Sequence, residues 1–97
     1  MNVDLKNKKL ERCYRESRLA IREWGHEVAE RYIQRVNIMK KSDSVDELMK
    51  LKVLDCHPLK GDRQGQWAIK LTGFYRLIFR AKDGGAVIEE VSKHYDD

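Results

Sequence analysis

Trp67-Ala68-Ile69-Lys70-Leu71-Thr72-Gly73-Phe74-Tyr75-Arg76-Leu77-Ile78-Phe79-Arg80 alternates around one short interruption. Trp67, Ile69 and Leu71 stand at every second position, with Ala68 and Lys70 between them, which is the period of a half-buried strand. Thr72-Gly73 reads as a turn. A second strand follows from Phe74 to Arg80, with Tyr75, Leu77 and Phe79 on one side and Phe74, Arg76, Ile78 and Arg80 on the other. Lys82-Asp83-Gly84-Gly85 contains the Asp-Gly pair favoured where two turn residues need positive φ, so a tight hairpin should lead into a third strand, Ala86 to Val91. These runs predict an antiparallel meander with one covered face and one open face.

The N-terminal half supplies the cover. Leu10, Cys13, Tyr14, Ser17, Ile21 and Trp24 recur at helical spacing and predict one amphipathic helix from about Lys8 to Glu23. After Gly25, the stripe Val28, Ala29, Tyr32, Ile33, Val36 and Met39 predicts a second helix running to about Lys41. Ser44-Val45-Asp46-Glu47 fits a capping box and predicts a short third helix carrying Leu48, Met49 and Leu51. The expected fold class is α+β, an N-terminal helical hairpin and a short third helix packed on a small antiparallel β-sheet, as a single domain over residues 1–97.

The chain has a formal net charge of +4. Its distribution is uneven: Lys60 to Lys82 carries six cations (Lys60, Arg63, Lys70, Arg76, Arg80, Lys82) against one acid, Asp62, so positive charge concentrates in the sheet half. That suits a polyanionic partner. Arg12, Arg15, Arg18 and Arg22 read instead as a solvated helix face, and His26 as a surface residue at a helix junction. Cys13 and Cys56 are far apart and outside any C-x-x-C pairing, so neither a disulfide framework nor a zinc site is expected. No apolar run is long enough to span a membrane and the N-terminus has no signal-peptide apolar region, which points to the cytoplasm and to no membrane partner.

Between the two halves lies His57-Pro58-Leu59-Lys60-Gly61-Asp62-Arg63-Gln64-Gly65-Gln66-Trp67, a histidine, two cations and two glycines in a stretch expected to be a polar loop. Together with Phe74-Tyr75-Arg76-Leu77-Ile78-Phe79, the Asp-Gly hairpin and a last strand ending near His94, this stretch resembles the HigB-type killer toxins of bacterial toxin-antitoxin pairs, within the RelE/ParE superfamily. The resemblance covers the chain in element order and is most specific from Cys56 to Phe79. It implies a metal-independent endoribonuclease that enters the ribosomal A site and cuts mRNA, with no cofactor. It also implies a cognate helix-turn-helix antitoxin of the HigA type, through which alone the pair meets operator DNA.

Carried across by position, the family's functional histidine falls on His57 and its basic residues on Lys60 and Arg76. The terminal Asp-Tyr-His of many members falls on Ser92-Lys93-His94, so the acid and the tyrosine are replaced, and Tyr95 follows. Metal-free RNA cleavage uses the 2′-hydroxyl as nucleophile. One proton must then be removed, one delivered to the 5′ oxygen, and charge on the phosphate stabilised. His57 and His94 fit the proton tasks, in either order, because histidine holds both forms near neutral pH. Arg76 and Lys60 fit the phosphate, while Arg63, Lys70, Arg80, Lys93 and Tyr95 fit contacts to the RNA. From the strand pattern, Arg76 and Arg80 fit equally well as partners of Glu89 or Glu90. Trp67 fits a core aromatic or a base-stacking platform. Two other readings stand beside the nuclease: a gyrase poison of the ParE branch, and a homologue acting only through antitoxin binding and operon repression.

Overall fold

A computed structural model describes residues 1–93 of the chain. Strand β1 (Val3–Leu5) precedes helices α1 (Lys8–Arg15), α2 (Ser17–Trp24), α3 (His26–Lys41) and α4 (Val45–Lys50), and strands β2 (His57–Pro58), β3 (Gln66–Lys70), β4 (Tyr75–Lys82) and β5 (Gly85–Lys93) follow. The strands form one sheet in the order β1-β5-β4-β3-β2. Its centre is the predicted meander. Two edges were not predicted: β1 runs parallel to β5, with Val3 opposite Ala86, and β2 pairs with β3, with His57 opposite Ala68. The sheet is therefore mixed, and the stretch expected as a loop begins as a strand.

The single helix expected from Lys8 to Glu23 is two. Asn7 caps α1, its side chain accepting from Leu10 N at 2.9 Å. Glu16 then adopts an extended conformation at φ −126°, ψ 101°. Its N–H closes α1 on Arg12 O at 2.8 Å, and its carbonyl opens α2 by accepting from Leu19 N at 2.9 Å. The break turns Ala20 inward in place of Ser17 and Ile21, which are exposed, and both segments contact α3. Helix α3 and the capping box at Ser44 form as expected, with Ser44 Oγ accepting from Glu47 N at 3.3 Å.

Tyr32, Val36, Met39, Leu48, Leu54, Ile69, Leu71, Leu77, Phe79 and Ile88 are fully buried between the helices and one sheet face. The Tyr32 hydroxyl donates to Leu10 O at 2.9 Å, and the Trp24 ring meets Tyr32 edge-on at 4.8 Å. Trp67 stacks near-parallel on Phe79 with centroids 6.3 Å apart, on this same covered face. The cysteines are free and buried. Burial pushes the Cys13 thiol up, and burial followed by the Asp55 charge pushes Cys56 to about 11, so both are poor nucleophiles.

Strand β4 starts one residue late, at Tyr75, because the Thr72 side chain accepts from Phe74 N and Tyr75 N and holds Phe74 in the turn. The Asp-Gly hairpin forms with Asp83 at φ 46° and Gly84 at φ 79°, the two positive values of a type I′ turn. Glu89 is the extra residue of a β-bulge, since Ile78 faces Glu90 while Phe79 faces Ile88. Among the described residues, no helix is long and apolar enough to cross a membrane.

Candidate active site

The site grows from the sheet face that the helices leave open. In an antiparallel ladder, residues opposite one another share a face. The register therefore places His57, Ala68, Ile78 and Glu90 in one row and Lys70, Arg76 and Ser92 in the next, all on the open side. Standard strand spacings put the Cα atoms of His57 and Arg76 about 12 Å apart, two strands across and two residues along. That gap suits a phosphodiester with both side chains reaching inward.

His57 is oriented by its own chain. Asp55 takes a left-handed conformation at φ 46°, and its carbonyl oxygen lies 2.8 Å from His57 Nδ1. A carbonyl only accepts, so Nδ1 carries the proton and the neutral ring keeps its lone pair on Nε2. This is the tautomer of a general base with its working nitrogen directed away from the main chain.

Arg76 is 9 % exposed. Its Nη1 donates to Thr72 O at 2.8 Å and Tyr75 O at 3.2 Å. Backbone carbonyls of the Thr72 turn thus hold the guanidinium in place through charge-assisted hydrogen bonds. Lys70, its cross-strand neighbour, is exposed and has no ion pair among the described residues.

The other cations are placed differently. Arg80 Nε lies 2.8 Å from Glu89 Oε1, and Arg63 Nη2 lies 3.3 Å from Glu90 Oε2. Gln66 joins them, accepting from Arg63 Nε at 2.9 Å and donating to Glu89 at 3.1 Å. Burial alone would raise the Glu89 carboxyl, but hydrogen bonds from Gln66 and Arg80 and the charges of Lys6 and Arg80 hold it below its ordinary value. Gly65, at φ +95°, makes room for this network, since a Cβ there would meet Arg80 Nη1 at 2.9 Å. Arg80 thus takes the expected pairing with Glu89, and Arg76 reaches the carbonyls of Thr72 and Tyr75.

Lys60 is exposed beside the short 3-10 turn Gly61–Arg63. Lys93 faces Tyr75, its Nζ 5.9 Å from that ring centroid, and so leaves on the helix side of the sheet. His94 and Tyr95 lie outside the described residues. Glu89, expected as an alternative partner of the strand arginines, pairs with Arg80, whereas no role was expected for Asp55 or Gln66. The Glu89-Glu90 doublet, which breaks the alternation of β5, was the available signal for the bulge. Nothing local marked Asp55.

A family model described as the RelE-like toxin of the type II toxin-antitoxin system HigB matches residues 3–94. The chain belongs to the HigB-like toxin family. A curated relative, Endoribonuclease HigB of Proteus vulgaris, is 32 % identical over 59 residues, which span 61 % of this chain and 63 % of that protein. The alignment thus takes in less than two thirds of the relative. Among solved structures, the YoeB-YefM complex from Staphylococcus aureus aligns with TM-score 0.64 at 13 % identity, covering 98 % of each chain. A YoeB/ParE toxin from Agrobacterium tumefaciens aligns with TM-score 0.61 at 17 % identity, over 98 % of this chain and 100 % of that one. At such identities the HigB-like toxin shares their fold, which is what these two likenesses carry.

Proposed function

We propose that this HigB-like toxin is a ribosome-dependent endoribonuclease that cuts mRNA in the A site, without a metal, and is neutralised in the cytoplasm by a HigA-type helix-turn-helix antitoxin. The observation that carries the reading is the shared open face of His57, held in the Nε2-basic tautomer, and Arg76, buried and charged. His57 Nε2 takes the 2′-hydroxyl proton or, once protonated, gives one to the 5′ oxygen. His94, which continues the chain beyond β5, serves the complementary step. Arg76 stabilises the charge that develops on the phosphorane, and Lys60 approaches from the adjoining turn. Lys70 guides the RNA strand, and Arg63, Arg80, Lys93 and Tyr95 contribute outer contacts to it or to the ribosome.

The test is cleavage of a defined message on translating ribosomes, read by primer extension. Discrete fragments from the wild type, sharply reduced by His57→Ala and by His94→Ala, are expected. Intact message would overturn the reading, and cleavage complexes formed with DNA gyrase under the same conditions would replace it with the ParE-type activity.

A further inference from the structure

A second basic feature lies just around the sheet edge from the candidate active site. Strand β2 ends its pairing at Ala68, so beyond that point β3 has no neighbour on this side among the described strands. Its last carbonyls are capped by helix α3: Arg35 Nε donates to Lys70 O at 3.2 Å and Arg31 Nη1 donates to Leu71 O at 2.9 Å. Between α3, the end of β3 and the segment Lys52–Asp55 is a cavity of about 370 Å³, lined by Arg31, Arg35, Lys52, Val53, Asp55, Lys70 and Leu71. That lies within the range of about 300–1,000 Å³ usual for ligand sites. Four of the seven residues are cations and one is an acid.

Arg35 is the unusual member. It is 4 % exposed, and among the described residues it meets no carboxylate, only Lys70 O and the side-chain oxygen of Gln34. Burial and then the nearby Arg31 charge lower its pKa. A buried, charged guanidinium without a counterion is costly, and an anion in the cavity would offset that cost. Arg31 has one partial partner, Glu27 at 3.5 Å on the exposed side. Lys52 and Lys70 have no ion pair among the described residues.

We propose that this cavity binds a backbone phosphate of the same RNA strand whose neighbouring phosphodiester is cut at Arg76. The inference rests on the endoribonuclease reading above. Continuity favours RNA over an acidic protein segment: Lys70 lines the cavity and is also the cross-strand partner of Arg76, while Asp55 lines it and also orients His57. A strand with one phosphate at Arg76 crosses Lys70 and reaches the mouth of the cavity.

The experiment measures binding of a fluorescein-labelled hexauridylate bearing 2′-O-methyl groups, which has no nucleophile, to the full chain across a salt series. Arg31→Ala/Lys52→Ala is compared with Lys8→Ala/Arg12→Ala, which removes the same charge from the outer face of α1. The cavity variant should weaken binding about tenfold and reduce the slope of log K against log salt by about 0.7, one phosphate contact, with the control near wild type. Because Arg31 also caps the Leu71 carbonyl, Lys52→Glu, at an exposed position on the cavity rim, is the second variant and should weaken binding in the same direction. Equal affinity and slope for cavity and control variants would overturn the proposal. So would weakened binding of a hexaglutamate peptide with unchanged RNA affinity, which would assign the cavity to protein carboxylates. Cavity-dependent oligonucleotide binding beside intact message on ribosomes would fail the nuclease reading alone and leave the phosphate site standing.

Discussion

The carbonyl oxygen of Asp55 holds Nδ1 of His57 at 2.8 Å, so the residue that orients the candidate base is two positions before it and acts through its main chain. The side chain of Asp55 is dispensable in this arrangement, but its left-handed conformation is not. Asp55→Asn, which tolerates positive φ, should leave message cleavage close to wild type. Asp55→Val, β-branched at φ 46°, should misplace the carbonyl and lower cleavage while the protein remains folded. Equal activity of the two variants in the ribosome assay would remove Asp55 from the mechanism.

His57 is only half-buried, so its removal should separate activity from stability. His57→Ala is expected to lower the single-turnover rate on programmed ribosomes by about 10²–10⁴-fold, the usual worth of a positioned acid or base. Its unfolding free energy should stay within about 0.5 kcal/mol of wild type. A large loss of stability with the rate preserved would reassign His57 to a structural role.

Arg76→Lys keeps the charge but loses the fork that reaches Thr72 O and Tyr75 O. Urea unfolding should show a loss of about 2 kcal/mol, from charged hydrogen bonds no longer made to the turn. Cleavage should fall as well, because an ammonium on a flexible stem is not held at the phosphate. Wild-type stability in this variant would mean that the turn does not depend on the guanidinium.

Acid stability should report on the bulge. The Glu89 carboxyl lies below its ordinary value of 4.5 in the fold. Its contribution is therefore complete above that value and disappears as pH falls through the lower, folded one. Glu89→Gln should give a thermal-stability curve with a shallower decline below pH 4.5 than wild type, because the acceptor shared by Arg80 and Gln66 is then uncharged and does not titrate. Superimposable acid limbs would mean that the network contributes nothing to folding.

Strand β1 depends on close approach at Gly85, where an added Cβ would lie 2.4 Å from Asn2 O. Gly85→Ala should cost about 1–3 kcal/mol by forcing two backbones apart. Hydrogen exchange should quicken first at Ala86, whose N–H donates to Asn2 O at 2.8 Å.

What the sequence determined by itself is what repeats locally. The meander from Trp67 to Val91, the Asp-Gly hairpin, the long helix α3 and the cap at Ser44 are all legible, because periodicity and turn chemistry act between residues a few positions apart. The division of Tyr75, Leu77 and Phe79 from Arg76, Ile78 and Arg80 was legible for the same reason, and with it the presence of cations on an open face. Tertiary structure alone decided the rest. β1 and β2 are too short to carry a period, and they are strands only because β5 and β3 offer unpaired edges. The helix breaks at Glu16 because both of its halves must reach α3, a demand that no residue near Glu16 announces. Arg76 and Arg80 look alike in the chain. The bulge at Glu89 gives Arg80 a carboxylate, whereas the Thr72 turn gives Arg76 two carbonyls, and strand parity alone does not distinguish these two environments.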